Sequence, residues 1–471
     1  MNLDRPRRFP VALLGVAGLL LGLLIAAILL APRVVAFYPN PGSLHAPAVA
    51  QITLVFSRPM DQSSVETRLS VDPSVRGQFS WEGERLTFRP ERPWPEGNTV
   101  QIRLAAGAHS TRYLPILRIQ AWSFTVGVPR IAYLWPANGP ADVYARPVEG
   151  EDTSRLTQTE LGVYDYNLSR DGATLVYSAE RSDGGTDLRL LDLSAGEDRL
   201  VLTCSGGERC RAPSLSPAVD TLAFERVTLR AEGAAGPVSG PSRVWAISLS
   251  PGAQPFQVGP EGHVSSMPVW SPSGLLAYYD NTLGSIVFVD LSAGLAPLAY
   301  VPSDLGLTGS WSPDGAYLVF PEIVFPATPP ARASDEGAVQ FYSHILRAEA
   351  RSGGVVDLWR PGTGLVEDAS PAYSPDGQWI AFARKYLEHE RWTLGRQLWV
   401  MRADGSGAHS LTDEPDFNYS ALAWSPDSST LVYMRFNQAD LTQTAEIWTM
   451  DLDGQNPRRL IIGGYLPRWL Q

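Results

Sequence analysis

Only two cysteines occur in the 471 residues, the six histidines are dispersed, and basic side chains are outnumbered 49 to 38 by acidic ones, leaving a formal charge of -11. Each scarcity excludes a class of function. A structural zinc site needs about four ligands at short spacings, and two cysteines with no histidine beside them do not supply it. His45, His109, His263, His344, His389 and His409 form no H-E-x-x-H pair and no other metal-like spacing. An acidic chain without clustered Lys and Arg has no footprint for nucleic-acid phosphates. The G-x-S-x-G elbow that presents a hydrolase serine is absent. Asp451-Leu452-Asp453-Gly454 lacks the rest of a calcium loop and reads as a turn. No catalytic machinery, metal or cofactor is therefore expected, and the chain reads as a binding protein.

What is present begins with an uncharged run, Val11 to Ala31, whose 21 residues would measure about 31 Å as a helix, the thickness of a bilayer's hydrocarbon core. Arg5, Arg7 and Arg8 precede it and Arg33 alone follows closely. That bias puts the N-terminus in the cytoplasm and the bulk of the chain outside it. The expected plan is a cytoplasmic tail over 1–10 and a single-pass signal anchor over 11–32 in the cell membrane. A cleaved signal peptide, with Val34 and Ala36 at the small-residue positions, is the competing reading, but its apolar region is usually only about 7–15 residues. Outside the cytoplasm Cys204 and Cys210, six positions apart, are expected to form a disulfide that staples a loop.

Tryptophan (14), glycine (42) and proline (39) are abundant. Short alternating apolar stretches broken by Gly, Pro, Asp and Ser predict an all-β body. Over 37–127 the stretches Ile52–Phe56, Arg85–Phe88, Thr99–Leu104 and Trp122–Val126 predict a small β-sandwich. Phe56-Ser57-Arg58-Pro59-Met60-Asp61, Leu86-Thr87-Phe88-Arg89-Pro90, Trp94-Pro95-Glu96-Gly97-Asn98-Thr99 and the closing Trp-Ser-Phe-Thr make this segment resemble the bacterial Ig-like domain of S-layer and other surface proteins. The resemblance implies a spacer or adhesion module without chemistry of its own.

From 129 to 471 the sequence repeats. Ser169-Arg170-Asp171-Gly172, Ser216-Pro217-Ala218-Val219-Asp220, Ser271-Pro272-Ser273-Gly274, Ser312-Pro313-Asp314-Gly315, Ser374-Pro375-Asp376-Gly377 and Ser425-Pro426-Asp427-Ser428 each precede an apolar strand. Proline sets the first turn dihedral, Asp bonds the local backbone, and Gly takes the left-handed position, so each copy predicts a hairpin. An apolar strand with an aromatic near its end, as in Val269-Trp270 and Ala423-Trp424, comes before each turn, and two further strands follow. Four strands in each repeat of about 40–50 residues describe a propeller blade. With the Ser-Pro-Asp-Gly, Asp-Leu-Asp-Gly and Arg-Ala-Asp-Gly turns, the segment resembles the WD-type propeller repeats of TolB and its relatives. Leu466-Pro467-Arg468-Trp469 copies a first strand, while Arg130–Leu134 and Ala141–Ala145 read as second and third strands lacking one. Joining them predicts seven blades closed by the C-terminal strand; six, the number usual for TolB, is the alternative.

Connections from second to third strands are long over Arg226 to Arg243, Pro321 to Ser343, Lys385 to Arg396 and Asn437 to Thr444. All belong to one face, which is the expected binding surface. On it Phe325, Phe341, Tyr386, Arg391 and Trp392 are of the types enriched at interface hot spots. The expected partner is a protein, peptide or glycan of the cell envelope. The alternative is a hydrolase or lyase working in the central channel, which requires converging carboxylates, histidine or metal there.

Overall fold

The computed structural model describes residues 31–43, 46, 48, 50–193, 195–231, 237–324, 342–360 and 364–470. The apolar run up to residue 30 lies outside the described residues, and among them no helix is long and apolar enough to cross a membrane. The chain divides into two compact units, Met1–Val128 and Pro129–Gln471.

In the first unit, alternation of apolar and polar residues yields two antiparallel sheets. One holds Val34–Tyr38, Ile52–Phe56, Arg85–Pro90 and Gly77–Glu82 in that order, and the other Leu69–Asp72, Thr99–Leu104 and Gln120–Thr125. Leu54, Phe56, Leu86 and Phe88 from the first meet Val100, Ile102, Leu104 and Phe124 from the second in one buried cluster. This is the expected sandwich, because the inward side chain of every second residue finds an apolar partner layer. Trp94 is buried at its centre, its indole N–H donating to the Ala50 carbonyl at 2.8 Å. A single helical turn, Gln62–Glu66, interrupts the strands where Asp61 caps the Ser64 N–H at 2.8 Å.

In the second unit the described strands group into fours. Arg130–Trp135, Asp142–Pro147 and Ser154–Arg155 form a sheet with Tyr465–Leu470 from the far end of the chain. Consecutive quartets follow, led by Val163–Leu168, Glu208–Leu215, Ser265–Trp270, Ser310–Trp311, Val366–Tyr373 and Phe417–Trp424. A single parallel bridge, Ser343 to Glu367, links the quartets led by Ser310–Trp311 and Val366–Tyr373. Each quartet shares a buried apolar cluster with the next. In the last such cluster Val432 and Ile447 meet Ile131 and Tyr133 of the first sheet. The Trp469-to-Ile131 and Arg468-to-Ala132 register joins Tyr465–Leu470 to Arg130–Trp135 within that first sheet.

The repeated turns gain their rigidity from serine. Ser169, Ser312, Ser374 and Ser425 are buried, and each hydroxyl donates to the Asp two positions on while accepting the backbone N–H five positions on, as in Ser374 to Asp376 at 2.5 Å and Trp379 N–H to Ser374 Oγ at 2.9 Å. The aromatic that closes several first strands has an equally regular task. The indole N–H groups of Trp311, Trp424 and Trp469 donate to the carbonyls of Val269, Ala372 and Ala423, each in the preceding quartet. Burial of the ring and satisfaction of its one donor thus latch neighbouring sheets together.

Two of the expected long connections are shorter than the sequence suggests. Thr221–Ala231 and Pro237–Ser248 remain paired out to Ala231 and Pro237, and Tyr317–Val324 and Tyr342–Glu349 out to Val324 and Tyr342. The first ladder runs on because Val227-Thr228-Leu229 continues a strand-forming pattern past the point where polarity rises; in the second, the pairing passes through Pro321 and Glu322, which are poor strand formers, to Ile345 and His344 opposite them.

Candidate binding face

The strand Trp379–Tyr386 buries its apolar stretch Ile380–Ala383 and then turns charged while still paired with its neighbours. Arg384 is 4 % exposed and meets Asp368, 3 % exposed, through two bonds of 2.7 Å. Burial pushes the Asp368 carboxyl upward more than the Arg384 guanidinium draws it down. The guanidinium lies 4.9 Å from the Phe382 ring centre and 5.1 Å from that of Trp399. Trp399 in turn meets Tyr386 edge to face at 5.9 Å. A buried ion pair and two aromatic rings therefore form the floor beneath the end of this strand.

Above that floor, the structure brings together three of the residues expected on the face. Tyr386 is half-buried, with the Arg391 guanidinium 4.0 Å over its ring. Trp392 bridges to Tyr386 through the backbone and is 51 % exposed. Arg391 also pairs with Glu388, which holds that carboxyl below its ordinary value and raises the arginine. Glu388 accepts the Leu365 N–H at 3.1 Å as well. Lys385, the only lysine in the chain, sits 4.6 Å from the Trp392 ring and donates to the Leu394 carbonyl at 3.3 Å. Both cations are thus committed within the loop. The Trp392 indole remains half-exposed beside these cations. Phe325 and Phe341 lie outside the described residues.

Several contributors escaped the reading of the sequence. Lys385, Glu388, Trp399 and the Asp368–Arg384 pair build the platform. The signal for the pair was available, since Arg384 directly extends an apolar strand core where a charge needs a buried partner. The disulfide joins Cys204, at the end of Glu197–Cys204, to Cys210 within the next first strand. Thr186 straps the same place, exchanging hydrogen bonds of 2.8 and 2.7 Å with the Cys210 backbone.

A second polar cluster lies on the leading strands of two adjacent quartets. Ala212 and Met267 occupy left-handed backbone conformations at bulges, with φ of 50° and 56°. Their freed N–H groups donate to acidic side chains of the preceding quartet, Ala212 to Asp165 at 2.5 Å and Met267 to Glu225 at 2.7 Å. Glu225 also takes Arg211 Nε at 2.8 Å. Burial, with a smaller push from the charge of Glu225, raises the Asp165 carboxyl from 3.8 to about 6. Among the described residues no group of three or more His, Cys, Asp or Glu stands close enough to hold a metal ion.

Residues 30–126 match the family described as the bacterial Ig-like domain. That match lies within the first unit. No curated protein matches the sequence. Among solved structures, a putative TolB from Agrobacterium tumefaciens is 22 % identical, with 59 % of this chain and 90 % of that one covered and a TM-score of 0.39. TolB from Acinetobacter baumannii is 14 % identical, with 86 % and 83 % covered and a TM-score of 0.43. An oligogalacturonate lyase from Vibrio parahaemolyticus is 12 % identical, with 70 % and 73 % covered and a TM-score of 0.31. These likenesses concern the fold, an all-β body with TolB-like propeller neighbours.

Proposed function

We propose that the chain is a membrane-anchored, extracytoplasmic binding protein in which an Ig-like module carries a seven-bladed propeller, and that the propeller recognises a protein, peptide or glycan through the face bearing Tyr386 and Trp392. The seven-blade reading draws on the seven described quartets and on the antiparallel pairing of Tyr465–Leu470 with Arg130–Trp135. The anchor reading draws on the Val11–Ala31 run and the arginines before it. The one observation that carries the binding role is Trp392: a large indole left 51 % exposed, held beside Lys385 and bridged through the backbone to Tyr386. A rigid aromatic presented on an ordered platform loses little entropy on association, the property that makes Trp and Tyr interface anchors.

The full-length protein, tagged and purified from its native membranes, retains a specific partner through mild detergent. Trp392→Ala lowers the recovered partner at least about ten-fold, as loss of an anchor worth about 2 kcal/mol does, while Leu295→Ala, at a 48 % exposed residue in the turn between the strands Ser285–Val289 and Pro297–Pro302, leaves recovery unchanged. Equal recovery with Trp392→Ala contradicts this reading.

A channel enzyme is the second reading, and Asp165, Glu225 and Arg211 favour it to the extent that a carboxyl poised near 6 is suited to proton transfer. Both carboxylates are already held by backbone N–H groups, a structural employment that weighs toward the binding role.

A further inference from the structure

The Ig-like module carries an apolar surface that its fold does not need. Between the strands Thr99–Leu104 and Gln120–Thr125 the chain makes an excursion through Ser110–Tyr113, where the Tyr113 N–H donates to the Ser110 carbonyl at 2.8 Å. Tyr113 has φ of 61°, a left-handed conformation uncommon for an aromatic. Ile116, 1 % exposed, nails the excursion to the core. Around it Tyr113 is 81 % exposed, Leu117 53 % and Ile119 51 %, and Arg112 and Arg118 are exposed between them. Apolar side chains interleaved with arginine on a rigid turn match an interfacial lipid environment, where aromatic rings and aliphatic tips enter the headgroup zone and cations meet phosphate.

The position of the patch indicates what covers it. Only Pro32 and Arg33 separate the apolar run ending at Ala31 from the first strand, Val34–Tyr38. Arg33 is fixed to the module, its carbonyl accepting the Ser57 N–H at 2.9 Å and its N–H donating to Ser57 Oγ at 3.2 Å. Two residues on from Ser57, the Pro59 carbonyl accepts the Thr111 N–H at 3.1 Å, and Asp61 N–H donates to the His109 carbonyl at 3.0 Å. At about 3.5 Å per residue, Arg33 lies within about 10 Å of the last apolar residue of the run. The chain's exit from the run and the Tyr113 turn therefore share one end of the module, with the exposed Arg33 beside them.

We propose that this end of the Ig-like module is a membrane-contact surface, setting Tyr113, Leu117 and Ile119 into the headgroup region of an anionic phospholipid bilayer with Arg33, Arg112 and Arg118 on its phosphates. It rests on the anchor reading given above. The contact would hold the module at a fixed attitude on the bilayer rather than swinging on its short tether.

The test uses the full chain inserted into vesicles of phosphatidylcholine and phosphatidylglycerol, with bimane on Leu117→Cys; the native cysteines are bonded to each other and do not react. Nitroxide-labelled lipid quenches this probe at least about two-fold more than one on Leu441→Cys, and Arg112→Glu with Arg118→Glu abolishes the difference. Quenching no greater than at residue 441, or a probe shielded from water but untouched by the lipid nitroxide, as a protein partner would leave it, overturns the proposal. An alkaline wash separates the two failures. A chain released by it lacks the anchor, and both readings fall; a chain that stays in the vesicle with an unquenched probe overturns the contact surface alone.

Discussion

Replacing Arg384 by methionine destabilises the propeller by about 3–5 kcal/mol, because the substitution strands Asp368 as a buried carboxylate with no counter-charge. Both groups are almost sealed from water, at 4 % and 3 % exposure, and the aspartate's other neighbours do not replace two bonds of 2.7 Å. The paired substitution behaves differently. Taking both charges out of water costs nearly as much as their attraction returns, which is why burial keeps the Asp368 carboxyl above its ordinary value despite the arginine. Arg384→Met with Asp368→Leu therefore recovers most of the loss. Chemical denaturation of the four proteins in a double-mutant cycle measures this, and a double variant as unstable as Arg384→Met alone contradicts it. The same cycle bears on the binding face, since the Arg384 guanidinium packs on the Trp399 ring that supports Tyr386.

Asp165→Asn stabilises the protein in alkaline solution and does little in acid. The carboxyl titrates at about 6 when folded against 3.8 when free. Its folded value thus lies above the unfolded one, so its contribution is fully present below pH 3.8 and is lost as pH rises through about 6. A shift of about two units corresponds to about 3 kcal/mol between those limits. Asparagine keeps an oxygen to accept the Ala212 N–H and never ionises. The stability difference between variant and parent should grow by up to about 3 kcal/mol from pH 4 to pH 8, with its midpoint between the two titration values. A difference that is flat across this range contradicts the burial of Asp165.

The repeat was legible because its chemistry is local. A turn of Ser, Pro, Asp and Gly encodes its own geometry within six residues, and the pairing of Tyr465–Leu470 with Arg130–Trp135 follows from counting strands at either end. The Ig-like sandwich was legible for the same reason, through alternation. What stayed hidden depends on contacts between segments distant in sequence. Asp368 and Arg384, Asp165 and Ala212, and Trp424 and Ala372 become partners only when strands or sheets are laid side by side. Loop lengths were misjudged where ladders continued beyond the apolar core, at Ala231 with Pro237 and at Val324 with Tyr342. The engagement of Arg391 with the Tyr386 ring and with Glu388 also depends on how the loop folds back on its strand and is not written in the order of its residues.

The solitary lysine gives the most direct measurement of the central claim. Lys385 lies against Trp392 on the proposed face, so a membrane-impermeant amine reagent carrying a photoreactive diazirine, applied to intact cells, tethers the cross-linker there and on no other side chain of the protein. Illumination should yield a discrete adduct of the protein with one partner, absent from Lys385→Arg and reduced by Trp392→Ala. A chain that is not labelled from outside, or one that is labelled but gives no adduct dependent on Trp392, would contradict a surface-recognition role for this face.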